Sequence, residues 1–272
     1  MSKVIRKGLQ PTKKDNRDFK AEKVFGSISL FEIPNIDFIV SEPIRIKDQK
    51  ETDYCGGFAG SSVSEAQEGV ELDPLYLFSK AKQIQKEWES WGTDLRSIAK
   101  AIVKYGTIEQ KDSQYDVDKE RCFIADWKTW DILLDEKALI HRKRSFFNAG
   151  GHNNTFDSIR ASLWQYRNKK CLVLTGVVWE SEWTNAPYGK IPKEKGGALF
   201  GHAIAIIGQK IIQGEPYLVA QLSNGTDIGD NGLFYFPKEV VNRTFNFGAI
   251  LFIDCNPEEA KQKCWSLFRR WY

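Results

Sequence analysis

The chain has 272 residues, with 39 Lys and Arg against 36 Asp and Glu and a formal net charge of +3. So small an excess, with both signs interspersed, argues against nucleic acid as the partner. The 9 Trp, 9 Tyr and 17 Phe supply the bulk of a packed core and exclude a disordered chain. No apolar run follows the basic segment 1–14, so neither a secretory signal nor a membrane span is expected. Cys55, Cys122, Cys171, Cys255 and Cys264 show no CxxC spacing. Without an export signal they read as free thiols in a reducing, cytoplasmic setting, with no metal and no cofactor.

Residues 1–47 contain Pro11, Pro34 and Pro43 and little periodicity. They read as an extended strap over the surface of the body, part of the same domain. The stretch Asp48-Gln49-Lys50-Glu51-Thr52-Asp53-Tyr54-Cys55-Gly56-Gly57-Phe58-Ala59 is a loop that delivers a cysteine to the start of a helix. Phe58, Ala59, Ser62, Val63 and Ala66 fall at helical spacing, and Gly69 ends the helix after Glu68. A thiol at a helix N-terminus faces the positive end of the macrodipole, which favours the nucleophilic thiolate. Gln49, six residues upstream, can aim its amide at a developing oxyanion there. Free cysteine is also among the most buried residue types, so catalysis requires a base from elsewhere in the chain.

Asp73 and Pro74 start a second helix with Leu75, Phe78, Ala81 and Ile84 inward. Thr93 or Asp94 caps a third, whose stripe is Leu95, Ile98, Ala99, Ile102 and Val103, and Gly106 closes it. Residues 107–150 give no clear pattern, Asn148 to Asn154 reads as a loop, and Thr155 caps a helix with Ile159, Leu163 and Tyr166 inward. Beyond this the pattern changes to apolar, partly β-branched runs. Cys171–Trp179, His202–Gly208, Tyr217–Leu222, Leu233–Phe236 and Ala249–Asp254 read as strands of an antiparallel sheet or barrel. Helices first and strands later imply an α+β protein of two lobes with a site in the cleft between them. The tail reads as an amphipathic helix over 256–272, capped by Asn256, with Ala260, Cys264, Leu267, Phe268 and Trp271 on one face. It docks on the body or contacts a partner or membrane surface.

Of the three histidines, His141 and His152 lie in polar surroundings and read as surface residues. His202 opens the run Gly201-His202-Ala203-Ile204-Ala205-Ile206-Ile207-Gly208. At the mouth of a strand, half anchored and half exposed, an imidazole suits a general base.

The order of these segments resembles the papain family of cysteine peptidases, in a bacterial or phage form without the usual propeptide. The resemblance spans about residues 16 to 254. It is carried by Asn16-Arg17-Asp18-Phe19, by Asp48-Gln49 with Cys55 and Phe58-Ala59, and by Gly92-Thr93 through Lys104-Tyr105-Gly106. Gly201-His202-Ala203 and Tyr217 through Gly225-Thr226, with Gly229-Asp230-Asn231-Gly232, complete it. The gap from Cys55 to His202 falls within the roughly 130–150 residues typical of the family. The domain would then run from 48 to 254, with 255–272 appended.

The resemblance implies Cys55 as nucleophile, His202 as base and later acid, and Gln49 with the Cys55 backbone N–H as oxyanion donors. It implies that Gly92 and Thr93 offer backbone hydrogen bonds to an extended peptide and that the Gly201 carbonyl accepts one. The family's Asn-Ser-Trp-Gly-Thr stands here as Leu222-Ser223-Asn224-Gly225-Thr226. Leu222 therefore holds the place of the orienting asparagine, and Asn224, on the same strand face, is the candidate substitute. Gly56 replaces an aromatic, Ile228 a tryptophan and Thr52 a half-cystine. Two readings follow: a thiol endopeptidase that hydrolyses peptide bonds, or a degenerate papain fold that binds an extended peptide or protein without cutting it. Acyl transfer to an amine is a third outcome of the same chemistry.

Overall fold

The computed structural model describes residues 8–12, 20–21, 33–87, 90–115, 130–149 and 155–253. The Asn16–Phe19 segment, His152 and the expected helix over 256–272 lie outside the described residues.

Three helices form the first lobe: α1 (Cys55–Glu68), α2 (Pro74–Gln85) and α3 (Leu95–Lys104). Their start signals act as the sequence predicts. Asp73 accepts the N–H groups of Leu75 and Tyr76 at 2.6 and 3.0 Å, and Asp94, not Thr93, caps α3 by accepting the Ser97 N–H at 3.0 Å. Gly69 takes φ 73° after α1, a left-handed stop that a Cβ would strain. Nearly all of α1 is buried, because glycines line it: a Cβ on Gly60 would lie 2.6 Å from Ile98 Cγ2, and one on Gly56 would lie 3.1 Å from Ile98 Cγ1. Gly56 thus stands where α3 packs directly on α1, which accounts for the absence of an aromatic there.

The second lobe is an antiparallel sheet. Its strands are β1 (Phe38–Ile39), β2 (Ser145–Asn148), β3 (Val173–Glu180), β4 (Ala198–Ile212), β5 (Glu215–Gln221), β6 (Leu233–Pro237) and β7 (Ala249–Ile253). The order is β2-β7-β3-β4-β5-β6, with β1 on the distal half of β4; the sheet is open, not a closed barrel. Along β4 the period of two sorts side chains between two cores. Ala203, Ala205 and Ile207 join the cluster shared with α1 and α3, while Ile204 and Ile206 join the opposite cluster with Trp179, Phe234 and Phe236. That second face is covered by α5 (Thr155–Tyr166) and α6 (Lys238–Thr244); a short α4 (Leu133–Ala138) precedes β2.

Three readings are corrected. Asn148 belongs to β2 and not to a loop. Thr155 is the first residue of α5 and not its cap, and the next N–H, of Phe156, is taken by Asn242 Oδ1 at 3.0 Å. The segment before residue 47 is not a surface strap throughout: Gly8, Leu9, Ala21, Ile33 and Lys47 are buried, and Phe38–Ile39 pairs with Gln209 and Gly208 of β4.

Lys47 ties this segment to α1. Its ammonium pairs with Glu65, donates to Leu72 O at 2.6 Å and to Ser61 Oγ at 3.4 Å, and both charged side chains are 2–3% exposed. Glu65 Oε1 also accepts the Leu72 N–H at 2.8 Å. Removing one partner of such a buried pair strands the other charge. Lys47→Ala is expected to cost about 3–5 kcal/mol in urea unfolding. A loss of under about 1 kcal/mol, the range of exposed pairs, would contradict this account.

Candidate active site

The loop before α1 is laced to the chain beyond β5. The Gln49 N–H donates to Ser223 O at 2.7 Å, the Gly225 N–H donates to Lys47 O at 3.1 Å, and Asp48 bridges Asn224. The Gln49 side chain is 1% exposed and held at both ends: Ser223 Oγ donates to Oε1 at 2.6 Å, and Nε2 donates to Thr52 O at 2.8 Å. Thr52, at the half-cystine position, closes the turn by donating Oγ1 to Gln49 O at 2.6 Å. Gln49 is thereby fixed in the loop that leads into Cys55, the first residue of α1.

Cys55 meets β4 directly. Its Sγ accepts the Ala203 N–H at 3.4 Å, so the thiol touches the residue that follows His202. His202 is fully buried, opposite Val177 in β3, with its ring edge-on to Trp179 at 5.8 Å. The expectation of a half-exposed imidazole at a strand mouth is therefore corrected. β4 begins at Ala198, so His202 is interior to the strand.

Leu222 is 2% exposed in the apolar cluster that also holds Val177, Trp179, Ile204 and Phe234. Where the resemblance places an asparagine, this chain has a core residue. Asn224 is also buried. The pairing of β5 with β4 ends at Gln221, and Asn224 bridges Asp48 in the loop before α1. His141 lies elsewhere. It is mostly covered, not a surface residue, with Nδ1 at 3.0 Å from Glu68 Oε2 and Nε2 at 3.9 Å from Glu109 Oε1. Among the described residues, no group of three His, Cys, Asp or Glu side chains is placed to hold a metal ion.

The cleft between the lobes is filled by the chain's own residues. Leu9 forms a parallel bridge with Thr93, through Thr93 N–H to Gly8 O and Gln10 N–H to Thr93 O, both at 2.9 Å. On the other wall, Gly201 O accepts the N–H groups of Gly8 at 3.3 Å and Leu9 at 3.2 Å. A Cβ on Gly8 would lie 2.7 Å from Cys55 Sγ, so only glycine lets the backbone pass this close to the sulfur. The Leu9 side chain is 1% exposed, lying where a Cβ on Gly176 would collide with its Cδ2. Gln10 is held by Trp91 O, and its Oε1 accepts from Gln85 Nε2 at 3.2 Å. Sequence reasoning missed this occupant. Its anchoring is mostly backbone hydrogen bonding, which leaves no side-chain period to read.

Burial of the sulfur also runs against the expected ionisation. Burial pushes the Cys55 thiol up to about 12, and the Asp53 charge adds to the effect. The N–H groups of Ala203, Gly56 and Cys55 itself work the other way and do not prevail. In the filled cleft the sulfur is a neutral thiol, not the thiolate that the helix N-terminus alone would favour.

No family model matches the chain, and no curated protein matches its sequence. Solved structures do match. Xylellain, a cysteine protease from Xylella fastidiosa, superposes with a TM-score of 0.73 at 16% identity, covering 93% of this chain and 99% of that one. Procathepsin B from Trypanosoma congolense gives 0.64 at 15% identity over 91% of this chain and 85% of the other. Bromelain from Ananas comosus, in complex with the E64 inhibitor, gives 0.55 at 15% identity over 77% and 93%. With a helical lobe that starts on Cys55, an antiparallel lobe that carries His202 and a cleft between them, the chain has the papain-like cysteine peptidase fold.

Proposed function

We propose that the protein is a cysteine-type endopeptidase whose cleft is kept closed by its own N-terminal segment. The observation that carries the reading is the seat of Gly8–Gln10. An extended polypeptide is hydrogen-bonded to both walls of the cleft, through Thr93 on one side and Gly201 on the other, directly over Cys55. A site that holds peptide backbone against a thiol is built for peptide-bond chemistry.

When a substrate replaces the segment, Cys55 attacks a carbonyl and His202 takes the thiol proton. The Cys55 N–H and the Gln49 amide hold the developing oxyanion, and Asn224 orients the imidazole. His202 then protonates the leaving amine, and water releases the acyl group from sulfur. Gly92, Thr93 and Gly201 hold the substrate backbone. The Gly8 carbonyl is itself engaged by the Thr93 N–H on the wall.

The second reading, peptide binding without cleavage, is favoured by Leu222, which removes the usual partner of the imidazole. Retention of Gln49, Cys55 and His202 in the chain, with Cys55 Sγ on the N–H of the residue after His202, favours catalysis. The third group of a triad orients the base, whereas nucleophile, base and oxyanion donor carry most of the rate.

Two outcomes test this reading. Leu9→Asp places a charge in an apolar seat and is expected to release the segment. Alkylation of Cys55 by iodoacetamide at neutral pH then rises at least about tenfold over wild type, whose raised thiol pKa confines reaction to strongly alkaline solution. Equal rates in the two proteins would show that the segment does not shield the sulfur. Ser223→Ala removes the donor that fixes Gln49 Oε1. In the opened enzyme, kcat is expected to fall about tenfold or more with KM little changed, as for a weakened oxyanion donor. An unchanged kcat would remove Gln49 from the mechanism.

A further inference from the structure

Behind the cleft wall lies a charged side chain that the mechanism above does not use. Lys82, on α2, is fully buried, and burial of an ammonium is costly unless every donor is met. Here all three are: Nζ donates to Ser90 O at 2.6 Å, to Ser90 Oγ at 2.8 Å and to Gly92 O at 2.9 Å. The cation also lies 5.9 Å from the centre of the Phe78 ring. From the opposite side, the Gly92 N–H donates to the Asp53 carboxylate, two residues before the nucleophile. Burial pulls the Lys82 ammonium below the usual lysine range, and the nearby charges of Asp53 and Glu87 work against that fall. Both backbone groups of Gly92 are thus held by charged side chains, one from α2 and one from the Cys55 loop. Gly92 itself takes φ 56°, and a Cβ there would strike the Gly8 carbonyl.

The next residue, Thr93, is the one whose N–H and C=O grip the peptide in the cleft. The same turn grips Gln10, through Ser90 Oγ, Trp91 O and Gly92 O. We propose that Lys82 and Asp53 are positioning residues that lock the Ser90–Thr93 wall to the Cys55 loop and so fix the peptide-binding edge relative to the sulfur. The proposal rests on the peptidase reading for its kinetic consequence, but the lock itself can be read without turnover. Its energetic logic is that of charge-assisted hydrogen bonds sealed from water, each stronger than a neutral bond. No disulfide is needed to hold this wall, and the lock is insensitive to reduction.

The lock predicts a local effect, and a local measurement tests it. In hydrogen exchange on the intact protein, Lys82→Met is expected to speed exchange at the Gly92, Thr93 and Gln10 amides about tenfold or more, with the amides of α1 and β4 unchanged. Asp53→Asn, which keeps an acceptor and loses the charge, is expected to act on the same amides to a smaller degree. Ser90→Ala removes a single acceptor without stranding a buried charge and serves if Lys82→Met fails to fold. Unchanged exchange at Gly92 and Thr93 in the folded variants, or faster exchange throughout the molecule, would overturn the lock.

On the opened enzyme, carrying Leu9→Asp, the same substitutions are expected to raise KM for a fluorogenic peptide about tenfold while kcat stays within about twofold. A fall in kcat at constant KM would place these residues in the chemistry and contradict a positioning role. If exchange responds as expected but a peptidyl epoxide never labels Cys55, the lock stands and the peptidase reading fails.

Discussion

The contact on which the rest depends is the one between Cys55 Sγ and the Ala203 N–H, where the start of α1 meets β4. It joins the two lobes at the point where chemistry is proposed. Everything nearby serves to hold that junction. Glycines along α1 let α3 approach to side-chain contact at Ile98, and the Lys47–Glu65 pair fixes the incoming loop to α1. The Gln49–Ser223 pair of hydrogen bonds ties the same loop to the far end of the sheet lobe. A junction built from buried polar contacts in a dry environment is rigid, because each unmade bond would carry its full desolvation cost.

The same junction is covered by the chain's own residues 8–10. Backbone from residues 8–10 completes hydrogen bonds that the two cleft walls would otherwise offer to water, and it buries Leu9 and the sulfur together. Burial is the largest influence on the Cys55 thiol and outweighs the N–H groups that point at it. One segment thus lies over the sulfur, and Cys55 is a buried thiol beneath it. In the proposed peptidase, departure of this segment would open the cleft and expose the thiol in one event.

Much of this architecture is legible in the amino-acid sequence. The bounds of α1, α2 and α3 follow from caps and stripes that obey strong local rules, and the five expected strands all exist, their ends shifted by a few residues. Cys55 meets Ala203, the residue after His202, at the junction of the lobes, while the His202 ring packs on Trp179. What the sequence does not disclose depends on tertiary context. β4 extends four residues before His202 through Ala198–Gly201, where no alternation marks a strand, and this is why the imidazole is buried. α4 and α6 have 6 and 7 residues, too short for a period to show. Lys82 sits on a helix as an ordinary lysine would, and only the fold reveals the three acceptors around it. The seat of Gly8–Gln10 is written in backbone bonds, which no side-chain pattern records.

The most direct test of the account is cleavage of a quenched fluorescent peptide library by three proteins: wild type, Leu9→Asp, and Leu9→Asp combined with Cys55→Ala. The account predicts little turnover by wild type, clear turnover once the segment is released, and none when the sulfur is gone. Release of the segment with an accessible Cys55 but no cleavage of any peptide would contradict it and leave a fold that binds peptides without cutting them.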